Sequence, residues 1–281
     1  MKVSILSLFR DSEDYLPEAL ASLEALEQQC SAHEFEYFFY ENDSNDNTVK
    51  ILTEWMGSRG GNLTTEDLGK AKFSQTTDIE RMTDLVYYRN TLLATATPLS
   101  SDYCILLDSD VSFKPNIISS YISIFNDAEF SDVAMITPNI LQNIKCKMFD
   151  SSKDSYYDSW ALVDRFNNHG MTWASNPFFN EEDRNRWDKG IPVYVNSAFG
   201  GVPIIKTDVL NKVKWSTEGG CEHWNFCRDV RLHGDILVAP TIQVSVEISQ
   251  AKIDSIGESH MNIAMAQQKQ RFNLLKHFAG Q

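Results

Sequence analysis

Two aspartates separated by one residue follow a nearly all-apolar run of the chain. Asp108 and Asp110 come directly after residues 103–107, a run typical of a central parallel strand buried on both faces. On the turn after such a strand, two carboxylates can converge on a divalent cation, and Mg²⁺ or Mn²⁺ is commonly held by one or two carboxylates together with substrate phosphates. The alternative interpretation is a solvated acidic turn that caps the next helix.

A second acidic and amide cluster follows the second predicted strand, residues 35–40. The cluster consists of Glu41, Asn42 and Asp43. Because open α/β sheets bind ligands at the carboxyl ends of their strands, this cluster and the turn at Phe9 and Arg10 would lie at the same edge as Asp108 and outline a nucleotide pocket. The alternative for Asp43 is that it stabilises an Asx-type turn.

Alternating strand and helix signals position these clusters in an α/β fold with a mostly parallel central sheet and helices on its faces. Strands are predicted at residues 3–9, 35–40, 103–107, 133–137, 193–195, 202–205 and 236–247. Helices are predicted at about residues 16–29, 48–55, 78–97, 115–126, 222–233 and 259–278. Residues 57–70 are rich in glycine and lack apolar periodicity, which predicts a loop. Residues 150–189 show no clear period, which is typical of a functional or lid-like segment.

Composition and charge exclude several function classes. The 281 residues carry 25 Lys+Arg against 39 Asp+Glu, a net charge of −14, which argues against a nucleic-acid partner. The chain has no apolar run of the roughly 20 residues that a membrane span needs, and its N-terminus becomes charged too early for a secretory signal. The five cysteines are irregularly spaced, which favours free thiols and a cytoplasmic location. Neither a Gly-x-Gly-x-x-Gly nor a Gly-x-x-x-x-Gly-Lys-Ser/Thr motif occurs, so dinucleotide cofactors and P-loop chemistry are disfavoured.

Several short motifs follow one another in a defined order. They are Val3-Ser4-Ile5-Leu6-Ser7, Glu41-Asn42-Asp43-Ser44-x-Asp46-x-Thr48, Arg89-Asn90, Asp108-x-Asp110, Tyr156-Tyr157-Asp158-Ser159-Trp160-Ala161-Leu162-x-Asp164 and Glu222-His223-x-x-Phe226-Cys227. This series resembles the glycosyltransferases of the GT-A fold, and among them the fungal capsule-associated α-1,3-mannosyltransferases and their bacterial and viral relatives. The resemblance implies a Rossmann-like GT-A domain over residues 1–250, with a nucleotide-binding half at 1–112 and an acceptor-binding half at 113–250. Residues 251–281 would form a separate C-terminal helix.

The resemblance also implies a donor site for a nucleoside-diphosphate sugar. Asp110, with Asp108 acting through the ribose or a water, would bind Mn²⁺ or Mg²⁺ that bridges the donor diphosphate. The implied donor-binding residues are Phe9, Arg10, Glu41, Asp43, Arg89, Asp108, Ser109, Gly200 and Gly201. Arg89 could instead form an ordinary ion pair on a helix surface. Related enzymes often supply a third metal ligand, commonly His, after the last strand; here either Glu247 or His260 substitutes, or the two aspartates suffice with water.

Three residues are candidates for the proton acceptor on the acceptor side: Glu222, His223 and Asp158. Glu222 opens a predicted helix, whose N-terminal dipole stabilises a carboxylate, so a plain helix-start role is the alternative. Inverting relatives carry an acidic pair where this chain has Glu222 and His223, whereas the capsule enzymes are retaining, so the stereochemical outcome stays open. Trp160 and Trp224 are candidates for stacking on an acceptor sugar, against simple core packing.

The chain is therefore expected to be a metal-dependent hexosyl- or pentosyltransferase that moves a sugar from a UDP- or GDP-linked donor to a hydroxyl of a glycan acceptor. One alternative is a nucleotidyltransferase, which would be expected to carry a glycine-rich, basic loop after the first strand. Another is a non-catalytic carbohydrate-binding protein. A phosphohydrolase of the Asp-x-Asp-x-Thr type is disfavoured because its motif should follow the first strand.

Overall fold

The computed structural model describes residues 1–57, 59–71, 79–145, 152–172, 174–218 and 221–246. The strands are β1 (Lys2–Phe9), β2 (Glu34–Asn42), β3 (Gly61–Glu66), β4 (Tyr103–Asp108), β5 (Val111–Phe113), β6 (Val133–Lys145), β7 (Ser152–Tyr156), β8 (Val163–Asp164), β9 (Val193–Ser197), β10 (Ile204–Lys206) and β11 (Asp235–Val246). The helices are α1 (Leu16–Gln29), α2 (Thr48–Met56), α3 (Ile79–Ala96), α4 (Ile117–Phe125), α5 (Glu181–Asp188), α6 (Thr207–Leu210) and α7 (Glu222–Val230).

The strands of the described residues form one mixed sheet in the order β3-β2-β1-β4-β10-β6-β11-β9-β8. Strands β1, β2, β3 and β4 are mutually parallel, and β10 runs antiparallel to both β4 and β6. β6 is thus parallel to β4, and β11 is parallel to β6. The six strands β1, β2, β3, β4, β6 and β11 therefore point in one direction. This arrangement confirms the predicted α/β class with a mostly parallel central sheet flanked by helices.

Strand register places the predicted site residues at a common edge. In the β1–β4 pair Leu8 lies beside Asp108, and in the β1–β2 pair Phe9 lies beside Glu41. All three strands therefore end at the same level, as the sequence predicts. Binding at this carboxyl edge is the general rule for open α/β sheets.

Apolar side chains at strand and helix spacing hold these strands in place. The interior of β4 is buried on both faces, as its continuous apolar run predicts. Helix α1 has a proline in its first turn and buries a row of leucines against the sheet. That row is Leu16, Leu20, Leu23 and Leu26.

The prediction of a loop over residues 57–70 is wrong in part, because β3 lies within this range. β3 is a short strand at the end of the sheet, half-exposed and polar, so the sequence carries no apolar alternation there. Gly61 begins it with φ of +122°, and a Cβ at this position would overlap the backbone carbonyl of Tyr37. The glycine that signals a loop in the sequence is therefore the residue that lets β3 approach β2.

The second half of the chain contains more regular structure than its sequence indicates. Strand β6 continues well past the predicted end at residue 137, and β7, β8 and α5 lie within the irregular segment 150–189. Asn180 caps α5, since its side chain accepts hydrogen bonds from the amides of Glu182 and Asp183. The pairing of β7 with β6 and of β8 with β9 is long-range and leaves no local signal.

Residues Met1–Val246 form one compact unit. The division into halves at residue 112 stays a prediction, and the predicted C-terminal helix lies outside the described residues. Among the residues that the structure describes, no helix has the length and apolar character needed to cross a bilayer. The cysteines Cys30, Cys104, Cys221 and Cys227 are buried free thiols, whereas Cys146 lies outside the described part of the chain. The cytoplasmic location stays a prediction.

Candidate active site

An ion pair between Arg89 and Asp108 lies at the carboxyl end of β4. Arg89 projects from α3, and its Nη2 lies 3.2 Å from Asp108 Oδ1. The guanidinium is stacked over the ring of Phe199, with Cζ 4.8 Å from the ring centroid. The Arg89 side chain is only 10% exposed. A planar cation held on an aromatic face and paired with a carboxylate has a fixed position, so the alternative of a solvated surface ion pair does not describe Arg89.

Negative charge at Asp108 is destabilised by its surroundings. Burial raises the pKa of Asp108 to about 6; Arg89 opposes the rise and Asp110 adds to it. Ser109 and Asp110 form the turn between β4 and β5. A divalent cation bound to both carboxylates would relieve this charge, and their hard oxygens are suitable ligands for Mg²⁺ or Mn²⁺. The pair of aspartates therefore fits the predicted cation.

The protein supplies few metal ligands in the described part of the chain. No group of three or more His, Cys, Asp or Glu side chains there is arranged to hold a metal ion. The proposed substitutes for a third ligand, Glu247 and His260, lie outside the described residues. Mg²⁺ held by one or two carboxylates commonly completes its coordination with water and substrate phosphates.

Two consecutive glycines connect the carboxylates of the site. Gly200 and Gly201 have φ of +68° and +72°. The Gly201 carbonyl accepts a hydrogen bond of 2.8 Å from the Asp108 amide, and the Gly200 amide donates one of 2.9 Å to Asp158 Oδ2. A Cβ on Gly201 would lie 2.6 Å from Val111 Cγ2. Only glycine fits this turn without displacement, and the turn fixes Asp108 relative to Asp158.

Asp158 is a carboxyl group that titrates near neutral pH. Burial raises the pKa of Asp158 to about 7; the Gly200 amide opposes the rise, and the charge of Asp108 adds to it. Asp158 and Asp108 belong to one site, because each is hydrogen-bonded to the Gly200–Gly201 turn. A carboxyl group with a pKa near 7 can hold or release a proton during a reaction at neutral pH.

Glu222 and His223 begin α7 and are both buried. His223 Nε2 lies 3.5 Å from Glu222 Oε1, and the imidazole stacks on Phe199 with ring centroids 3.9 Å apart. Burial lowers the pKa of His223 to about 3 despite the opposing charge of Glu222. Burial raises the pKa of Glu222, but its interactions with His223 and with the guanidinium of Arg89 outweigh this rise, so the net shift of the Glu222 pKa is downward. At neutral pH the pair therefore consists of a carboxylate and a neutral imidazole.

The carboxylates at the carboxyl end of β2, Glu41 and Asp43, make contacts within the protein. Asp43 Oδ1 accepts the amides of Leu68 and Gly69 at 2.7 Å each, and Oδ2 accepts the Asn42 side-chain amide at 2.8 Å. Burial raises the pKa of Asp43, but these donors outweigh it, so the net shift is downward. Glu41 Oε1 accepts the Ser44 amide at 2.9 Å. These contacts agree with the turn-stabilising alternative and show that Asp43 holds the 68–69 backbone beside the sheet edge.

The end of β1 has one buried and one polar side chain. Phe9 packs edge-to-face on Phe39, with ring centroids 5.0 Å apart, and is 3% exposed. Arg10 donates to the carbonyls of Lys70 and Ala71, and its Nη1 lies 4.0 Å from Asp43 Oδ2. Arg10 therefore helps to hold residues 68–71 against the sheet edge, whereas the Phe9 side chain belongs to the core.

The two predicted acceptor tryptophans contact each other. Trp224 donates its indole N–H to the Trp160 carbonyl at 3.1 Å, and the rings are arranged edge-to-face with centroids 6.1 Å apart. Trp224 belongs to α7, and Trp160 lies two residues after Asp158. The two tryptophans are 64 residues apart in the sequence, and the fold brings them into contact.

Sequence reasoning missed several residues that build the site. Phe199 lies between Arg89 and His223, and Trp215 stacks on Phe226 with centroids 4.1 Å apart. Asn90 makes a reciprocal pair of hydrogen bonds with the backbone of Trp215, at 2.9 and 3.0 Å. Of this set only Asn90 and Phe226 belong to the quoted motifs. The contacts of Arg89 with Phe199 and of Asn90 with Trp215 join segments more than 100 residues apart, for which a single sequence has no signal.

Comparisons with known proteins agree with this fold. The family model described as cryptococcal mannosyltransferase 1 matches residues 2–235. No curated protein sequence is significantly similar to the chain. Residues 1–349 of TarS from S. aureus match with a TM-score of 0.52 and 15% identity, over 88% of this chain and 60% of that one. The mannosyltransferase PcManGT from Pyrobaculum calidifontis, solved with GDP-Man and Mn²⁺, matches with a TM-score of 0.52 and 13% identity, over 94% of this chain and 61% of that one.

A further structure of TarS residues 1–349, in complex with UDP-GlcNAc, matches with a TM-score of 0.51 and 15% identity, over 90% of this chain and 60% of that one. At such low identity these likenesses concern the fold, and they confirm the predicted GT-A architecture. The chain spans about three fifths of the length of the solved proteins that it matches.

Proposed function

Because the chain belongs to the cryptococcal mannosyltransferase 1 family, we propose that it transfers a sugar from a nucleoside-diphosphate sugar to a hydroxyl group of a glycan acceptor. The observation that carries this proposal is the convergence of Asp108, Asp158, Glu222 and Arg89 at the carboxyl edge of the sheet. This set combines acidic groups for a cation and for proton transfer with a fixed guanidinium for a leaving diphosphate.

Asp108 and Asp110 would hold the divalent cation. When bound, such a cation supplies electrostatic stabilisation of the charge that develops on the leaving diphosphate. The raised pKa of Asp108 supports this assignment, because an ionised carboxylate at that position is unfavourable without added positive charge. PcManGT was solved with Mn²⁺, which makes this ion the first to test.

Arg89 would stabilise the same leaving group from the protein side. Its guanidinium is held by Phe199 and Asp108, so its charge is already in place before the reaction begins. Preorganised charge of this kind lowers the barrier because it needs no reorganisation as the diphosphate departs.

Glu222 is our candidate for the proton acceptor. Its carboxylate is ionised at neutral pH, and His223, which is neutral and stacked on Phe199, lies beside it and restricts its orientation. The acceptor hydroxyl would bond to the anomeric carbon, the bond from that carbon to the diphosphate oxygen would break, and the hydroxyl proton would pass to Glu222. Asp158, with a pKa of about 7, is the second candidate. His223 is stacked on Phe199 and lies 3.5 Å from Glu222, so we assign it a positioning role.

The donor is proposed to be GDP-mannose, with UDP-linked sugars as the alternative. The family description names a mannosyltransferase, and PcManGT was solved with GDP-Man. TarS was solved with UDP-GlcNAc, so both donors belong in the first experiment.

Donor turnover with added Mn²⁺ tests the proposal. Wild-type protein should release GDP from GDP-mannose, or UDP from UDP-GlcNAc, and Asp110→Asn should reduce this release at least tenfold. Asp208→Asn is the matched control, because Asp208 is 72% exposed on α6, which follows β10 at the opposite edge of the sheet. Equal turnover in wild type and Asp110→Asn would remove the metal assignment. Absence of turnover with every donor, combined with saccharide binding, would favour a carbohydrate-binding protein.

A further inference from the structure

An exposed histidine extends the aromatic surface next to Glu222. The His169 ring lies 5.0 Å from the Trp224 ring, and Trp224 in turn contacts Trp160 at 6.1 Å. We call Trp160, His169 and Trp224 the aromatic shelf. His169 is exposed and both tryptophans are half-buried, so ring surface of all three remains in contact with solvent.

The loop that carries His169 has a defined internal structure. Asp164 is 2% exposed, and its carboxylate accepts the amides of Phe166 and Asn168 at 2.8 Å each. The Asn168 side chain adds a third hydrogen bond of 2.9 Å. Asn167 adopts φ of +65° and accepts a hydrogen bond from the Asn196 side chain at 2.8 Å. Residues 164–169 are therefore held in one shape by their own polar groups.

Gly170 presses this loop against the segment that carries Trp160. Its amide donates to the Leu162 carbonyl at 3.0 Å. A Cβ at residue 170 would lie 2.9 Å from Leu162 Cδ2 and 3.1 Å from the Cα of Ser159. The close approach that glycine permits is what places His169 against Trp224.

The chemistry of the shelf suits a neutral sugar. The indole N–H of Trp224 is already bonded to the Trp160 carbonyl, so Trp224 offers its ring face for stacking. Arg165, the cation of the loop, is neutralised by Glu182 at 2.7 Å and Asp183 at 3.2 Å. A neutral pyranose with an apolar face fits these rings better than an acidic sugar does.

We propose that the aromatic shelf binds a neutral oligosaccharide acceptor of two or more sugar units, and that residues 164–170 set acceptor specificity through His169. The inference rests on the proposed function, because Trp160 lies on the turn that directly follows Asp158 and Trp224 is bonded to the Trp160 carbonyl, so a sugar stacked on the shelf would continue from the site of transfer. His169 lies on the loop beyond the two tryptophans, so it contacts a sugar unit other than the one that receives the transferred residue.

An array of defined neutral and acidic saccharides of one to six units tests this inference, with α-linked mannose oligomers included. Wild-type protein, probed in the presence of GDP and Mn²⁺, should retain neutral oligosaccharides. His169→Ala should weaken their binding about threefold to tenfold, the range of a single aromatic contact, with a smaller effect on monosaccharides. His169→Phe keeps a ring and should bind as wild type does. His233→Ala is the matched control, because His233 is exposed and precedes β11 at the opposite edge of the sheet.

Two results would overturn the inference: unchanged binding of every saccharide by His169→Ala, or retention of no saccharide by the wild-type protein. Melting temperatures of all variants show whether a loss of binding reflects a loss of folding. The proposed function fails by a different result, which is the absence of donor turnover. If saccharide binding depended on His169 but no donor were turned over, the aromatic shelf would remain supported as a binding site and the transferase assignment would be incorrect.

Discussion

Arg89 and Asp108 form a 3.2 Å ion pair between α3 and the end of β4, and the same guanidinium lies over the ring of Phe199. One side chain thus touches the carboxylate proposed to bind the cation and the ring that stacks on His223. Asp108 contacts the Arg89 guanidinium directly, and the positive charge of Arg89 also acts on the Glu222–His223 pair. A change at Arg89 is therefore expected to affect both sides of the site.

We expect Arg89→Lys to lower kcat/KM for donor turnover about 10²- to 10³-fold, the usual loss when a preorganised donor to a developing anion is removed. Lysine keeps the charge but cannot reproduce the planar stacking on Phe199, so charge alone should not rescue activity. Arg59→Lys is a matched control, because Arg59 also stacks on an aromatic ring, at 3.9 Å over Trp55, and pairs with Glu24 and Glu27. If the two variants retained equal activity, the assigned role of Arg89 would be incorrect.

The glycine turn yields a prediction about stability. Gly201→Ala should lower the free energy of unfolding by about 2–4 kcal/mol, since alanine is strained at φ of +72° and its Cβ would approach Val111 Cγ2 to 2.6 Å. Gly69→Ala shares the strain, at φ of +65°, but its Cβ has no neighbour within 4 Å. Chemical denaturation of both variants isolates the clash as the difference between them. Equal losses would mean that the turn relaxes freely around Val111.

The parts of the site that the sequence predicts are those with a local signal. The apolar run before Asp108 predicts β4, and the rule that parallel strands end at one edge predicts that Asp108 and Glu41 are neighbours of β1. The role of Gly200 also follows from its type, since paired glycines permit a close backbone approach.

The rest depends on contacts between distant segments. The stacking of Phe199 between Arg89 and His223 joins three separate elements, and the approach of His169 to Trp224 depends on the shape of a polar loop. Strand β3 is not predicted from the sequence for a related reason. It lies at the end of the sheet, where a strand needs little apolar alternation. The Phe199 stacking, the His169–Trp224 contact and the pairing of β3 all depend on contacts with distant segments, and the spacing of neighbouring residues does not predict such contacts.

The raised pKa values of Asp108 and Asp158 predict how stability depends on pH. The folded protein binds protons at these carboxyls more tightly than the unfolded chain does, so their ionisation favours unfolding. Their contribution to stability should therefore fall as pH rises from about 4 to about 7 and stay constant above that. Asp158→Asn should remove part of this fall and raise the melting temperature by a few degrees at pH 8. Melting curves between pH 4 and 8 measure the effect, and a variant with an unchanged pH profile would contradict the assigned environment of Asp158.

Replacement of Glu222 tests proton transfer. Glu222→Gln keeps the size of the side chain but removes its capacity to accept a proton, so kcat for transfer to an acceptor should fall about 10²- to 10⁴-fold. The KM for the donor should change little, because the cation and diphosphate contacts are assigned to Asp108, Asp110 and Arg89. Glu218→Gln is the neighbouring control, since Glu218 is 79% exposed and faces Arg228 at 3.8 Å. If Glu222→Gln kept full activity while Asp158→Asn lost it, proton transfer would belong to Asp158.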